Sequence, residues 1–154
     1  MFDGIGTPTV TVASVILAGL IAGQMLAIAL ANQAALSLPE TSWTLRFQAE
    51  NKLFTKTMPP FLLLPLVGLI GSAFLTESIP RILFSASCAL EVIVLVITMM
   101  IEVPINTQVD SWTAGSAPTT WIATRDRWLR FHWLRTAAGA GSFIFAVIGL
   151  GIHP

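Results

Sequence analysis

Residues 82–101 read ILFSASCALEVIVLVITMMI, an apolar run in which Glu91 is the one charged side chain. A helix needs about 20 predominantly apolar residues to cross the hydrocarbon core of a bilayer, so this run has the length and polarity of a transmembrane helix. A carboxyl group at the centre of such a helix is costly and often functional. We therefore expect residues 82–101 to span a membrane and Glu91 to face the interior of a helix bundle.

Three further segments have the same apolar character, at residues 9–31, 58–76 and 131–152, with the last helix expected to begin upstream near Trp121. The composition agrees, since 55% of the 154 residues are hydrophobic, 10% are charged and the mean hydropathy is +0.79. Soluble domains carry roughly 25% charged residues. The sequence therefore predicts an all-α integral membrane protein, a four-helix bundle in which residues 1–154 form a single transmembrane domain.

The segment between the first two spans is different, because residues 41–57 mix charged and apolar side chains at near-helical spacing. This pattern predicts an additional amphipathic surface helix in the first loop. Pro59 and Pro60 suit the first turn of the second span, where proline is tolerated. Pro104 suits the end of the third span, because proline disrupts a continuing helix.

The basic residues indicate the topology. Seven of the eight lysines and arginines lie in loops 32–57 and 102–130 or at the start of the fourth span, and Arg81 lies on the opposite side. Basic residues concentrate in cytoplasmic loops, so we expect both loops to be cytoplasmic and both termini to be outside. The formal net charge of zero gives no indication of a nucleic-acid partner.

The third span carries a polar stripe. Ser87, Glu91, Thr98 and Glu102 are spaced so that they share one helical face. Gln24, in the first span, is a plausible partner for Glu91. The functional interpretation is a proton acceptor or the wall of a polar cavity, and the structural alternative is a protonated glutamic acid that only links helices.

A second pattern precedes the fourth span, where Trp121, Arg125, Trp128, His132 and Arg135 follow one another at gaps of three and four residues. That spacing places all five side chains on one helical face. Arginine pairs with oxyanions, tryptophan stacks on rings and histidine transfers protons near neutral pH, so the face suits a planar or anionic ligand. The same residue types also anchor helices at the headgroup region, and composition alone favours that anchor.

Together these motifs resemble the anthrone oxygenase family of small four-helix membrane proteins. The resemblance rests on Thr98, on Val103-Pro104-Ile105-Asn106, on Arg127-Trp128 with His132 and Arg135-Thr136, and on the Ala/Gly-rich last span. Gln48, Asn51 and Met58-Pro59 resemble the family's first-loop pattern. Glu102 stands where that pattern often has asparagine. The resemblance implies a set of polar signature residues, namely Asn51, Thr98, Asn106, Arg127, Trp128, His132 and Arg135.

The activity that the resemblance implies is the conversion of a CH2 group between two aromatic rings into a carbonyl with O2, without a metal or flavin. Such a reaction needs a base, hydrogen-bond donors for an enolate oxygen and an apolar slot. The implied base is His132 and the implied oxyanion donors are Arg135 and Asn106. Glu91 or Glu102 would orient His132 or take up the proton. The implied substrate-binding residues are Trp128 as a stacking wall, Thr98, Glu102, Asn51 and Arg127.

The implied partners are membrane lipid and a lipophilic substrate that enters from the bilayer. The main alternative is a non-catalytic auxiliary or scaffold subunit of a larger membrane complex, and a transporter or proton pathway is a more distant one. A row of small residues in the first span suits packing in the bundle or, as a weaker alternative, a homo-oligomer. The row comprises Gly19, Gly23, Ala27 and Ala31.

We predict no cofactor. Cys88 is the single cysteine, which excludes an intramolecular disulfide and a multi-cysteine metal site. A carboxylate-rich metal site at Glu91, Glu102 and His132 is a weak alternative because no ligand-spacing motif accompanies it. Haem is weaker still, with one candidate axial histidine.

Overall fold

The computed structural model describes residues 6–152, except for the side chains of residues 6–8 and 56. All regular secondary structure within this range is helical. Its elements are α1 (Gly6–Ala34), a 3-10 turn (Ala35–Ser37), α2 (Glu40–Leu75), α3 (Ser78–Ile97), a π turn (Thr98–Glu102), α4 (Val103–Asp110) and α5 (Trp121–Gly151). The two termini predicted to be outside, residues 1–5 and 153–154, lie beyond the described residues.

Within residues 6–152, four helical stretches are long and apolar enough to cross a membrane. They are Thr9–Ser37, Thr57–Leu75, Ser78–Asp110 and Trp121–Gly151. In the bundle, α1 packs against α2 and α5, and α3 packs against the same two helices. The prediction of an all-α, four-helix membrane protein is confirmed, and the many exposed leucine, isoleucine and valine side chains suit contact with lipid.

The amphipathic segment at residues 41–57 is helical, but it forms the first half of α2 and not a separate surface helix. With 36 residues, α2 is about 54 Å long, against about 30 Å for the hydrocarbon core. The helix continues through Pro59 and Pro60. Packing explains this continuity, because Trp43 and Phe47 in the first half are buried against α4 and α5.

The third span likewise continues beyond its expected end at Ile101. A wider π turn precedes Pro104, which lies in the first turn of α4, and α4 extends the helical path to Asp110. In the π turn the amide of Val103 donates to the carbonyl of Thr98, five residues earlier. A proline ring clashes with the carbonyl four residues before it, and a π turn relieves such crowding by widening the helix. The connecting loop therefore comprises residues 111–120 and is shorter than the predicted loop 102–130.

An aromatic cap closes the end of the bundle that carries most of the basic residues. Its core comprises Trp43, Phe47, Ile105, Val109, Trp128 and Leu129. Ring centroids lie 4.9 Å apart for Trp43 and Phe47 and 5.2 Å apart for Phe47 and Trp128, distances typical of favourable aromatic pairs. The side-chain amide of Gln48 donates to the carbonyls of Val109 and Trp112, both at 2.9 Å, and so satisfies carbonyls at the end of α4.

The opposite half of the bundle is closely packed. Val15, Leu69, Phe84 and Ala146 form its apolar core, and the hydroxyl groups of Ser87 and Ser142 lie 2.9 Å apart between α3 and α5. On the first span, Gly19 faces Phe143 of α5. The other small residues of that row face outward from the bundle, namely Gly23, Ala27 and Ala31.

Gly68 and Gly71 allow a matched test of this packing. A Cβ atom at Gly68 would lie 2.9 Å from the Cβ atom of Ser14, whereas a Cβ atom at Gly71 would meet nothing within 4 Å. We expect Gly68→Ala to destabilise the protein by about 1–3 kcal/mol through overpacking. Gly71→Ala should be neutral or stabilising by up to about 1 kcal/mol, because alanine has the higher helix propensity. Thermal unfolding in detergent micelles measures both, and equal midpoints for the two variants would contradict the α1–α2 contact.

Candidate active site

A cavity of about 690 Å³ lies between the aromatic cap and the closely packed half. Its volume falls within the range of small-molecule sites, about 300–1,000 Å³. All four spanning stretches contribute to its walls. The apolar wall includes Ile21, Met25, Ile28, Phe47, Phe54, Met58, Leu62 and Leu95. The polar groups that face it include Gln24, Asn51, Thr98, Glu102, Asn106, Asp110, His132 and Arg135.

Three of these side chains form a buried cluster where the π turn meets α5. His132 has an exposed fraction of 0% and Glu102 of 3%. The Nδ1 atom of His132 lies 3.0 Å from Oε1 of Glu102. Arg135 contacts both partners, with Nη1 at 2.5 Å from Oε2 of Glu102 and Nη2 at 3.1 Å from Nδ1 of His132. We call this group the Glu102–His132–Arg135 cluster.

The hydrogen bonds of His132 determine what its ring can do. Its Nε2 atom lies 3.0 Å from the carbonyl oxygen of Met25 in α1, and a carbonyl only accepts, so Nε2 carries a hydrogen. In a neutral ring, Nδ1 then carries a lone pair that accepts from Nη2 of Arg135, and it lies 3.0 Å from the Glu102 carboxylate. Two acceptor atoms therefore face each other, bridged by the Arg135 guanidinium. A proton between Nδ1 and Oε1 would turn this opposition into a hydrogen bond.

The π turn supplies a second contact to the same arginine. Nη1 of Arg135 donates to the Thr98 hydroxyl at 3.0 Å, and that hydroxyl donates to the carbonyl of Val94 at 2.7 Å. Thr98 and Glu102 are the first and last residues of the π turn, and π turns occur often at functional sites. The local widening around Pro104 therefore directs both side chains towards α5.

Trp128 and Asn106 form a second fixed group on the cavity wall. The indole nitrogen of Trp128 donates to Oδ1 of Asn106 at 2.9 Å. The Trp128 ring also stacks on the His132 ring, with centroids 4.6 Å apart and planes 13° apart. An indole nitrogen only donates, so Oδ1 must face Trp128. The amide nitrogen of Asn106 then remains a donor for a ligand, since no described residue accepts from it.

Asn51 and Asp110 form a third group, at the end of the cavity near α4's last turn. Nδ2 of Asn51 donates to Oδ2 of Asp110 in a short hydrogen bond. Oδ1 of Asn51 accepts from the Thr55 hydroxyl at 3.4 Å. Asp110 was not among the residues predicted from sequence. The available signal was its spacing, because residues 102, 106 and 110 share one helical face once the helix continues past Pro104.

Two predicted site residues lie elsewhere. Glu91 is 1% exposed, but it sits in the closely packed half and does not line the cavity. It lies about 16 Å along the helix from Glu102, at 1.5 Å per residue. Its carboxylate oxygens have no hydrogen bond of normal geometry, and Gln24 lines the cavity without hydrogen-bonding to it. Arg127 faces outward from α5, because the buried face of that turn carries Trp128.

The other predicted site residues line the cavity, namely Asn51, Thr98, Glu102, Asn106, Trp128, His132 and Arg135. Among residues 6–152, no three histidine, cysteine, aspartate or glutamate side chains converge in a way that could hold a metal ion. Both nitrogens of His132 already face protein partners. Among the described residues, His132 therefore has no ring nitrogen that is free of a protein contact.

One side of the cavity is open between α2 and the α3–α4 path. Seven residues both line the cavity and are exposed. One of them is Asp110, and the other six form two rows of four-residue spacing. The rows are Thr55, Pro59 and Leu63 on α2, and Met99, Val103 and Thr107 on the facing path. Leu63 and Met99 belong to membrane-spanning stretches. The opening, which we call the lateral slot, therefore reaches the depth of the bilayer.

Comparison with known proteins agrees with this architecture. No curated protein and no solved structure matches the chain. Residues 43–145 match the anthrone oxygenase family. The matched range runs from the aromatic cap through all the cavity-lining parts of α2, the π turn, α4 and α5, and covers about two thirds of the 154 residues. The chain therefore belongs to the anthrone oxygenase family.

Proposed function

We propose that this protein is a membrane-embedded oxygenase that removes a proton from a lipophilic aromatic substrate and lets the resulting anion react with O2. The observation that carries the proposal is the opposition of His132 Nδ1 and Glu102 Oε1 at 3.0 Å in a buried cluster. Membership of the anthrone oxygenase family supports the reaction class. The largely apolar cavity supports a flat, hydrophobic substrate.

The reaction balances without a metal or flavin. An anthrone and one O2 give an anthraquinone and one water. Loss of a proton from the CH2 group between the rings leaves an anion delocalised onto the ketone oxygen. This anion passes an electron to O2, and the two radicals combine to form a C–O bond. The peroxide anion so formed takes back the proton held by the cluster, and the resulting hydroperoxide loses water to leave the new carbonyl.

The cluster takes the proton as a pair. His132 holds Nε2–H on the Met25 carbonyl, so the incoming proton comes to rest between Nδ1 and Oε1. Glu102 is therefore as important to the base as His132. Asn106 provides an amide donor for the enolate oxygen, its orientation fixed by Trp128. Donors placed in advance where negative charge develops lower the barrier without reorganising during the reaction.

Arg135 and Thr98 support the pair. The guanidinium balances the buried Glu102 carboxylate, which a low-dielectric site requires. Thr98 holds the same guanidinium from the opposite helix. Glu91 and Arg127 have no part in this mechanism because neither reaches the cavity.

We further propose that the lateral slot admits substrate from the bilayer. A lipophilic compound concentrates in the membrane, and the slot opens at that depth. The basic residues near the aromatic cap favour a cytoplasmic location for this end of the bundle. Substrate would then enter from the cytoplasmic leaflet.

A non-catalytic subunit remains the alternative function. The observation that favours it is the outward-facing row of Gly23, Ala27 and Ala31, because small residues allow close contact with another membrane helix. Mild-detergent purification separates the two functions. Co-purification of a stoichiometric partner protein without any turnover of substrate would support the subunit. Turnover of substrate by a homogeneous preparation of this chain would exclude it.

Glu102→Gln tests the base. We expect this nearly isosteric change to lower turnover of an anthrone by about 100-fold or more, a typical contribution of general base catalysis. Oxygen uptake and anthraquinone absorbance measure the rate in protein reconstituted in bilayers.

Glu91→Gln is the matched control, since it neutralises a buried carboxyl on the same helical path outside the cavity, and it should keep the wild-type rate. Full turnover by Glu102→Gln, or loss of turnover in folded Glu91→Gln, would refute the assignment. No turnover of anthrones by the wild type would refute the oxygenase itself.

Leu63→Trp tests the slot. Leu63 lines the cavity with 51% of its surface exposed, and its neighbour Leu64 is 57% exposed without lining it. Filling the slot with an indole should lower turnover of bilayer-delivered substrate by roughly ten-fold, because the open side of the cavity is narrowed. Leu64→Trp places the same ring against lipid and should leave the rate unchanged. Equal rates for the two variants would argue for another route of access.

A further inference from the structure

We propose that Asp110, held by Asn51, anchors a hydroxyl group of the substrate at the end of the cavity away from Glu102, and that it excludes carboxylated compounds. This inference rests on the proposed function, because it assigns a specificity role within the same cavity. It concerns recognition of the substrate's far ring and not the chemistry at its reacting carbon.

The first argument is the alignment of three polar groups. Glu102, Asn106 and Asp110 follow one another at four-residue intervals and all line the cavity. At 1.5 Å per residue each step is about 6 Å, so Glu102 and Asp110 lie about 12 Å apart along the helix. That separation suits an elongated fused-ring molecule that reacts beside Glu102 and extends towards Asp110.

The second argument is that each of these groups is fixed by a partner on another helix. Arg135 holds Glu102, Trp128 holds Asn106 and Asn51 holds Asp110. The Asn51 amide uses its nitrogen for Asp110 and its oxygen for the Thr55 hydroxyl, so its orientation is determined. Such pre-ordering lowers the entropy lost when a ligand binds.

The third argument concerns the second carboxylate oxygen of Asp110, Oδ1. Oδ2 of Asp110 accepts from Asn51, and no described residue donates to Oδ1. An ionised carboxylate only accepts hydrogen bonds, so its ligand must carry a donor. A phenolic hydroxyl on the outer ring of a fused aromatic system provides one.

The fourth argument is the charge of the lining. The acidic side chains of the lining are Glu50, Glu102 and Asp110. Arg135 is the one lysine or arginine among the described residues that line it. Glu50 pairs with Arg46 and Glu102 pairs with Arg135, whereas no described cation lies within 4.0 Å of Asp110. Asp110 is exposed to solvent, but a carboxylate on the substrate's outer ring would meet its negative charge with no paired cation beside it. Such repulsion is a means of rejecting a wrong ligand.

The experiment measures equilibrium binding, independently of turnover, with three air-stable product analogues. They are anthraquinone, 2-hydroxyanthraquinone and anthraquinone-2-carboxylate, at a pH that keeps the hydroxyl protonated. The protein is the full chain in detergent micelles, and quenching of tryptophan fluorescence reports the Kd. We expect the wild type to bind the hydroxy compound about ten-fold more tightly than anthraquinone, since hydrogen bonds to a charged group are worth that much. The carboxylate should bind more weakly than anthraquinone.

Asp110→Asn keeps the size of the side chain and removes its charge. In this variant the preference for the hydroxy compound should fall towards unity, and the carboxylate should bind at least as tightly as anthraquinone. Asp126→Asn is the control, because Asp126 is exposed like Asp110 but lies on α5 outside the cavity, and the change removes the same charge. That variant should keep the wild-type order of the three probes.

The outcomes separate this inference from the function on which it rests. Binding of all three probes with the same ratios in wild type and Asp110→Asn would overturn the role of Asp110 and leave the oxygenase proposal standing. A change of order in Asp126→Asn as large as in Asp110→Asn would also overturn it, because overall charge would then explain the selectivity. Failure of all three probes to bind the wild type would count against the aromatic-substrate cavity itself.

Discussion

The hydrogen bonds of the buried His132 ring hold three parts of the bundle in register. One ring nitrogen contacts a backbone carbonyl of α1 and the other contacts Glu102 in the π turn, while the ring itself belongs to α5. A polar group in the interior of a membrane protein must find partners within the protein, because lipid offers none. Relative movement of these helices would break these bonds, so the imidazole determines both where the cavity wall lies and which atoms face it.

The π turn is the second constraint, and it follows from one residue. Pro104 cannot continue an ordinary α-helix without crowding the preceding turn. The wider turn before it keeps the helix intact and rotates the residues on either side. Thr98 and Glu102 reach α5 from this turn, and Asn106 and Asp110 continue the polar row along α4. A residue that disrupts regular helix thereby helps to assemble the polar wall of the site.

The bundle consequently has two halves with different physical character. The half around Phe84, Ser87 and Ser142 is closely packed, and it encloses Glu91 without a hydrogen-bond partner of normal geometry. The other half encloses a cavity and places its polar groups in pairs across helices. Pairing keeps buried charges tolerable in a low-dielectric medium and holds them in place. The aromatic cap closes one end of this half, so the remaining opening is lateral.

The sequence by itself determined the class of protein and much of the lining of its cavity. Span length and polarity are imposed by the bilayer and can be counted along the chain, so the four-helix membrane bundle followed directly from composition and pattern. Of the seven signature residues that the family resemblance named, Arg127 lies outside the cavity and the other six line it, namely Asn51, Thr98, Asn106, Trp128, His132 and Arg135. Only the tertiary structure decided that Glu91 lies apart, that Asp110 belongs to the wall and that the helices continue through Pro59, Pro60 and Pro104. The reason is that periodicity gives the face of a helix, whereas the depth of a residue, its partner and the survival of a helix at proline depend on what packs against it.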